Sequence, residues 1–312
     1  MASSLPNFTS IPADLPWMNS LGIINQTGYD HEAALLWFQK HWAVGFPICA
    51  VYLLLIKLGQ RYMQNRVRFE LYLPLVSWSL SLAIFSLIAT CVSWGEFIYI
   101  VRRYGWHASA CDPICFTSTT GFWAWMFTLS KLVELGDTAF IVLRKQKLIF
   151  LHWYHHITVL LYSWYSFGHC VAPGRYFVFM NVNVHTAMYT YYTAKAAKLF
   201  SIPRYVNMFI TIFQTTQMAV GIGVNLYALR VLNAGGECST TYDNLRVSFL
   251  MYFSYFLLFV HFFVQAYFMK TPATTSTHLD SKTTKTLSNR HTDVLNGNVS
   301  RVYSNGVSKK DV

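Results

Sequence analysis

Seven apolar runs dominate the chain, at roughly 41–58, 75–100, 116–143, 148–168, 172–194, 205–229 and 247–269. A helix needs about 20 predominantly apolar residues to cross a bilayer. In lipid, backbone polar groups must be satisfied internally, which leaves helices or closed barrels as the spanning structures. The pattern predicts an all-α integral membrane protein with seven transmembrane helices. The first run is short, and the fifth carries Asn181, Asn183 and His185. Charged residues are only 12% of the 312, against about 25% in a soluble domain. Aromatics reach 17%, which suits a protein that meets lipid at both headgroup levels.

Orientation follows from Lys and Arg near the span ends. One side holds Lys57, Arg61, Arg66, Arg68, Arg144, Lys145, Lys147, Lys195, Lys198 and Arg204, together with the basic residues of the tail. The other holds Lys40, Arg102, Arg103, Arg175, Arg230 and Arg246. The bias predicts a lumenal N-terminus and a cytosolic C-terminus. Residues 1–30 lack a basic start followed by an apolar run, so no cleavable signal is expected and the first span inserts by itself. Asn7 and Asn25 head N-x-T sequons, usable only on the lumenal side. Cys111, Cys115 and Cys238 fall in loops assigned to the lumen, where disulfides form. Lys309 and Lys310 make a dilysine pattern at the C-terminus that resembles an endoplasmic reticulum retrieval signal. Together these predict a multi-pass glycoprotein of the endoplasmic reticulum membrane.

The expected organisation is a lumenal segment at 1–35, one membrane catalytic domain at 36–270, and a disordered cytosolic tail at 271–312, rich in Thr, Ser, Asn and Lys. The net charge of +11 is the positive-inside bias plus the tail. It calls for no nucleic acid, and it offers the cytosolic face to anionic headgroups or phosphorylated ligands.

Polar groups inside spans are costly and by default mark function. Lys131, Glu134, Asp137 and Thr138 lie in the third span, and His152, His155 and His156 in the fourth. Asn181, Asn183, His185, Tyr189, Tyr191 and Tyr192 lie in the fifth, and Gln214 and Gln217 in the sixth. The three histidines at i, i+3 and i+4 share one helix face, as do the two glutamines. Lys131, Glu134 and Asp137 step by three along a row where opposite charges neutralise. Plainer roles exist for some: the charged row could only lock helices together, the glutamines could be interhelical glue, and His185 a satisfied core histidine. Three imidazoles on one embedded face are hard to explain as packing.

The spacing H-x-x-H-H resembles a histidine box of the membrane di-iron desaturases and hydroxylases, a family with several such boxes. Here His31, His41, His107, His169, His261, His278 and His291 are scattered and a second box is missing. A metal-free role is favoured, with metal-dependent lipid oxidation as one alternative. A non-enzymatic seven-helix receptor or lipid-binding protein is the other. Imidazole has an ordinary pKa of about 6.5, and an apolar medium disfavours its charged form. A neutral ring can attack an acyl thioester to give an acyl-imidazole, while neighbouring rings orient it or move protons.

In chain order, K-x-x-E-x-x-D-T (131–138), H-x-x-H-H (152–156), N-V-x-V-H-x-x-M-Y-x-Y-Y (181–192) and T-x-x-Q-x-x-Q (211–217) resemble the motifs of the very-long-chain fatty acid elongases. These are the 3-ketoacyl-CoA synthases of the endoplasmic reticulum, condensing enzymes of fatty acid biosynthesis. The stretch from Glu134 to Ser166 resembles the branch that elongates saturated and monounsaturated chains of medium to long length. The resemblance covers about residues 30–270. It implies seven helices, with helices two to seven as a six-helix barrel around a substrate tunnel closed at the lumenal end. It implies an acyltransferase that joins malonyl-CoA to acyl-CoA without metal or redox cofactor. Reductase, dehydratase and enoyl reductase partners would complete the cycle, and homo- or hetero-oligomers with other elongases are a further expectation. The resemblance makes His155 the acyl-accepting nucleophile, supported by His152 and His156, with His185 positioning or protonating groups near the thioester or malonyl carboxylate. Lys131, Glu134, Asp137, Thr138, Asn181 and Tyr189 would organise the polar end of the substrate. Gln214 and Gln217 would donate to carbonyls or histidines, and Lys145, Lys147, Lys195 and Lys198 would attract coenzyme A phosphates. Cys111 and Cys238 match the family's lumenal disulfide, leaving Cys115 free; sequence alone leaves the swap open.

Overall fold

The structure, a computed structural model, describes residues 29–112, 118–199 and 201–269. Asn7, Asn25, Cys115, Lys309, Lys310 and the 271–312 segment lie outside the described residues. The chain divides into two units, 1–263 and 264–312, and the first contains every candidate site residue within the spans.

The described residues are helical, with no strand among them. In chain order the helices are α1 (His31–His41), α2 (Gly45–Met63), α3 (Tyr72–Cys111), α4 (Ser118–Glu134), α5 (Asp137–Leu143), α6 (Phe150–Gly168), α7 (Gly174–Ala196), α8 (Arg204–Asn233) and α9 (Tyr242–Tyr267). Local chemistry sets several ends. Asp30 caps α1 by accepting from Ala33 N at 3.0 Å, and Glu32 near the start with Lys40 and His41 near the end complement the helix dipole. A 3-10 turn, Trp42–Val44, joins α1 to α2, so the short first run of the sequence becomes one helical stretch, His31–Met63, of 33 residues. Gly105 interrupts α3 at φ 85 and ψ 178, a conformation that only glycine adopts readily.

Among the described residues, four helical stretches are long and apolar enough to cross a membrane: His31–Met63, Tyr72–Cys111, Arg204–Asn233 and Tyr242–Tyr267. The other three runs coincide with α4–α5, which the break after Glu134 divides into helices of 17 and 7 residues, and with α6 and α7, whose apolar character is diluted by the polar groups they carry. Outward-facing positions are apolar, as with Leu54, Leu55, Leu87, Phe209, Leu250 and Leu257. Buried positions include Lys131, Glu134, His156, Asn181, His185 and Gln217. That distribution, greasy outside with polar groups inside, is what a lipid solvent selects.

The most extensive helix pair is α3 with α7, stitched by Thr90 to Thr186 at 3.0 Å and by Trp94 Nε1 donating to Asn183 Oδ1 at 2.9 Å. Leu35 and Phe38 of α1 pack on Leu160, Trp164 and Phe167 of α6. Tyr162, Phe177, Met218, Tyr252 and Tyr255 join α6, α7, α8 and α9 in a second core. Cys111 and Cys238 are disulfide-bonded, with Cα atoms 4.3 Å apart, and Cys49, Cys91 and Cys170 are free thiols.

The expected third span, 116–143, is not one helix. It breaks after Glu134, and Asp137 opens a new helix of 7 residues. Gly136 permits the break by close approach: a Cβ there would lie 2.7 Å from Trp78 Cζ2. Lys131, Glu134 and Asp137 therefore do not form the continuous row that the sequence suggests.

Candidate active site

Two polar knots result. In the first, Lys131 Nζ donates to Glu134 Oε1 and to Asn181 Oδ1, both at 2.8 Å, and lies 4.2 Å from the centre of the Phe127 ring. Ser130 Oγ donates to the same glutamate oxygen at 3.0 Å. His185 Nδ1 is 3.6 Å from it, while His185 Nε2 meets Asn181 Nδ2 at 3.3 Å. Glu134 Oε2 has no partner among the described residues. The side chains of Lys131 and Glu134 are 1% and 4% exposed, so the pair is sealed from water.

In the second knot, Asp137 accepts from Trp78 Nε1 at 2.6 Å and from the Tyr189 hydroxyl at 2.7 Å. This replaces the ion pairing expected of it, because the helix break turns Asp137 toward α3 and α7. Next to it, Thr138 Oγ1 bonds the Tyr52 hydroxyl at 2.6 Å and His152 Nε2 at 2.9 Å. Trp78, Tyr52 and Ser130 complete the site, and no local pattern in the sequence marks them.

The three histidines gather on α6 as their spacing predicts. The His152 and His156 rings are 4.4 Å apart and those of His155 and His156 5.7 Å. His156 is buried, with Nδ1 unpartnered among the described residues. The His155 ring lies 5.0 Å from that of Tyr255, whose hydroxyl donates to the His155 carbonyl at 3.3 Å and bonds Thr158.

His155 lines an internal cavity, with Asn181 and Gln217 beside it. The lining comes from α3, α4, α6, α7, α8 and α9, and none from α1 or α2. It continues through apolar Ala89, Val92, Phe127, Val159, Val178 and Met218. Imidazole and amides thus meet at one end of the cavity, and most of the wall beyond them is apolar.

Other expected site residues sit elsewhere. Gln214 contacts Met188 Sδ at 3.5 Å and not the histidines. Gln217 is buried and reaches the cavity wall. Lys145, Lys147, Lys195 and Lys198 are exposed at the ends of α5 to α7; Lys145 Nζ donates to the Gln64 carbonyl at 3.1 Å and Lys195 Nζ to the Tyr191 hydroxyl at 3.3 Å. Arg175, counted from the sequence at the lumenal end of the fifth span, is buried and paired with Glu96. Among the described residues, no group of three or more His, Cys, Asp or Glu side chains is arranged to hold a metal ion.

Residues 37–275 match the model of the ELO (GNS1/SUR4) family. "Very long chain fatty acid elongase 6" of Gallus gallus is 49% identical over 78% of this chain and 91% of its own length. The Homo sapiens protein of the same name is 46% identical over 79% of this chain and 93% of its own. "Very long chain fatty acid elongase 3" of Homo sapiens is 46% identical over 74% and 85%.

Proposed function

The chain belongs to the ELO (GNS1/SUR4) family, and from that premise we propose that it is the condensing enzyme of very-long-chain fatty acid elongation. Malonyl-CoA and an acyl-CoA would give a 3-oxoacyl-CoA two carbons longer, with carbon dioxide and free coenzyme A. The observation that carries the mechanistic reading is His155, an imidazole lining a cavity whose walls are otherwise largely hydrocarbon.

A neutral His155 nitrogen attacks the thioester carbonyl, the C–S bond breaks, and coenzyme A leaves as a thiol once protonated. Malonyl-CoA then loses its carboxylate as carbon dioxide, and the electron pair left at its α-carbon attacks the acyl-imidazole carbonyl. The new C–C bond forms as the C–N bond breaks, and one proton taken up from solvent returns the neutral imidazole. Asn181 on the cavity wall, backed by Lys131 and His185 in a chain of contacts, is suited to orient amide and imidazole donors toward the carbonyl or the malonyl carboxylate. The Thr138–His152 contact would fix the ring beside His156.

The lining from six helices supports a seven-span chain in which α3, α4 and α6 to α9 surround the acyl tunnel. We extend the reading to the endoplasmic reticulum membrane, an N-terminus in the lumen, and saturated and monounsaturated acyl-CoA of medium to long length. The test is incorporation of radiolabelled malonyl-CoA into lengthened chains by membranes that carry the protein. Labelled product that depends on added acyl-CoA is expected. Bound iron or zinc without incorporation would favour lipid oxidation, and ligand binding without incorporation would favour a receptor.

The basic mouth yields a separable prediction. Lys145 and Lys198 close α5 and α7 in the left-handed region, at φ 54 and φ 50, and each cap carries the paired backbone bonds of a Schellman turn. Glycine is the usual residue there, since a Cβ costs about 1–2 kcal/mol in that conformation. Lys198→Gly is expected to raise thermal stability while raising the KM for malonyl-CoA. A stabilised variant with unchanged KM would remove this lysine from coenzyme A binding.

A further inference from the structure

The cavity has a second polar end. On α6 its lining runs from His155 through Val159, Ser163 and Phe167, one stripe because residues three and four apart align. At 1.5 Å of rise per residue the stripe is about 18 Å long. Glu96 of α3 and Arg175 of α7 also line the cavity. On α7, Arg175 lies ten residues before His185, about 15 Å away along the helix axis.

Arg175 Nε donates to Glu96 Oε1 at 3.4 Å, and the two side chains are 2% and 13% exposed. Arg175 Nη1 donates to the carbonyls of Ser109 at 2.6 Å and Ala108 at 3.3 Å. Those carbonyls lie past the Gly105 break, beside the Cys111–Cys238 bridge. The guanidinium is therefore held in place by the chain as well as by the carboxylate. Nη2 has no partner among the described residues. A terminal methyl group could not satisfy it, and displacing the pair would leave buried charges uncompensated. If the pair served only to tie α3 to α7, neither residue would need to face the cavity.

We propose that the Glu96–Arg175 pair is the floor of the acyl cavity and sets the longest chain the enzyme accepts. The inference rests on the reading that this cavity holds the acyl chain. An extended chain advances about 1.2 Å per bond, as three backbone bonds span 3.3–3.6 Å, so the stripe accommodates about 15 bonds. Removing the carboxylate deepens the cavity. Bulk placed one turn nearer to His155 makes it shallower.

The experiment supplies membranes carrying the full chain with radiolabelled malonyl-CoA and a ladder of saturated acyl-CoAs in two-carbon steps. For Glu96→Ala, activity on the first chain beyond the wild-type limit, relative to the best wild-type substrate, is expected to rise about tenfold, the scale of one to two methylenes in a hydrophobic pocket. For Ser93→Leu, whose site lines the cavity one turn before Glu96, the limit is expected to fall by at least one two-carbon step. A Glu96→Ala protein that accumulates, condenses shorter chains and keeps the wild-type limit overturns the proposal. If that variant does not accumulate, Ser93→Leu decides, and an unchanged limit overturns it. Absence of incorporation by the wild-type chain would instead overturn the elongase reading itself.

Discussion

Replacing His155 with alanine is expected to lower condensation by about 10³-fold or more, the scale on which a covalent nucleophile is lost. The same variant should fail to release free coenzyme A when given acyl-CoA alone. That second readout isolates the first half-reaction, because malonyl-CoA is absent. A His155→Ala protein that still releases coenzyme A at the wild-type rate would place the acyl group on another atom. His152→Ala should retain some release, since its ring reaches Thr138 at 2.9 Å and acts through His156. Trapping the acyl group on the protein and finding it on residue 155 would complete the case.

The second large effect concerns the sealed ion pair. Lys131→Met would leave Glu134 buried beside His185 with its main cationic partner gone. Stripping one member from a buried pair costs about 3–5 kcal/mol, and at a few degrees per kcal/mol this lowers the melting temperature by about 10 °C. Removing both charges with Lys131→Met/Glu134→Leu should recover most of that stability, because buried pairs are often replaced by apolar residues at no net cost. Activity should not return with it. A double variant that regains both stability and condensation would reduce these residues to helix locks, the plainer role that their sequence spacing also allows.

The parts of the site legible in the sequence obey physical rules of short range. The histidines at 152, 155 and 156 share a face through helical spacing alone, and the Lys131–Glu134 pair is an i,i+3 contact. Asp137 escapes that logic. Extending the row by three assumes an unbroken helix, but the chain turns at Leu135–Gly136, where Trp78 packs against Gly136 and bonds Asp137 from 59 residues away. Tyr52 and Tyr255 approach the site from 86 and 100 residues away, and nothing local in their neighbourhoods marks them. In the sequence, Arg175 resembles one more orienting charge at a span end. Its burial depends on Glu96, a single carboxylate in a helix of 40 residues. Helices α6 and α7 miss the apolar threshold because histidine, asparagine and tyrosine stand where leucine and valine would otherwise be, whereas α4 and α5 are shortened by the break at Gly136.

The apolar stretch that separates the two polar ends of the cavity makes them mutationally independent. Substitutions more than about 7–10 Å apart, with no shared partner, combine additively, and about 15 Å of α7 lies between Arg175 and His185. Divergence can therefore act on each end separately, so that descendants of one gene could come to differ in selectivity while inheriting the same catalytic apparatus unaltered.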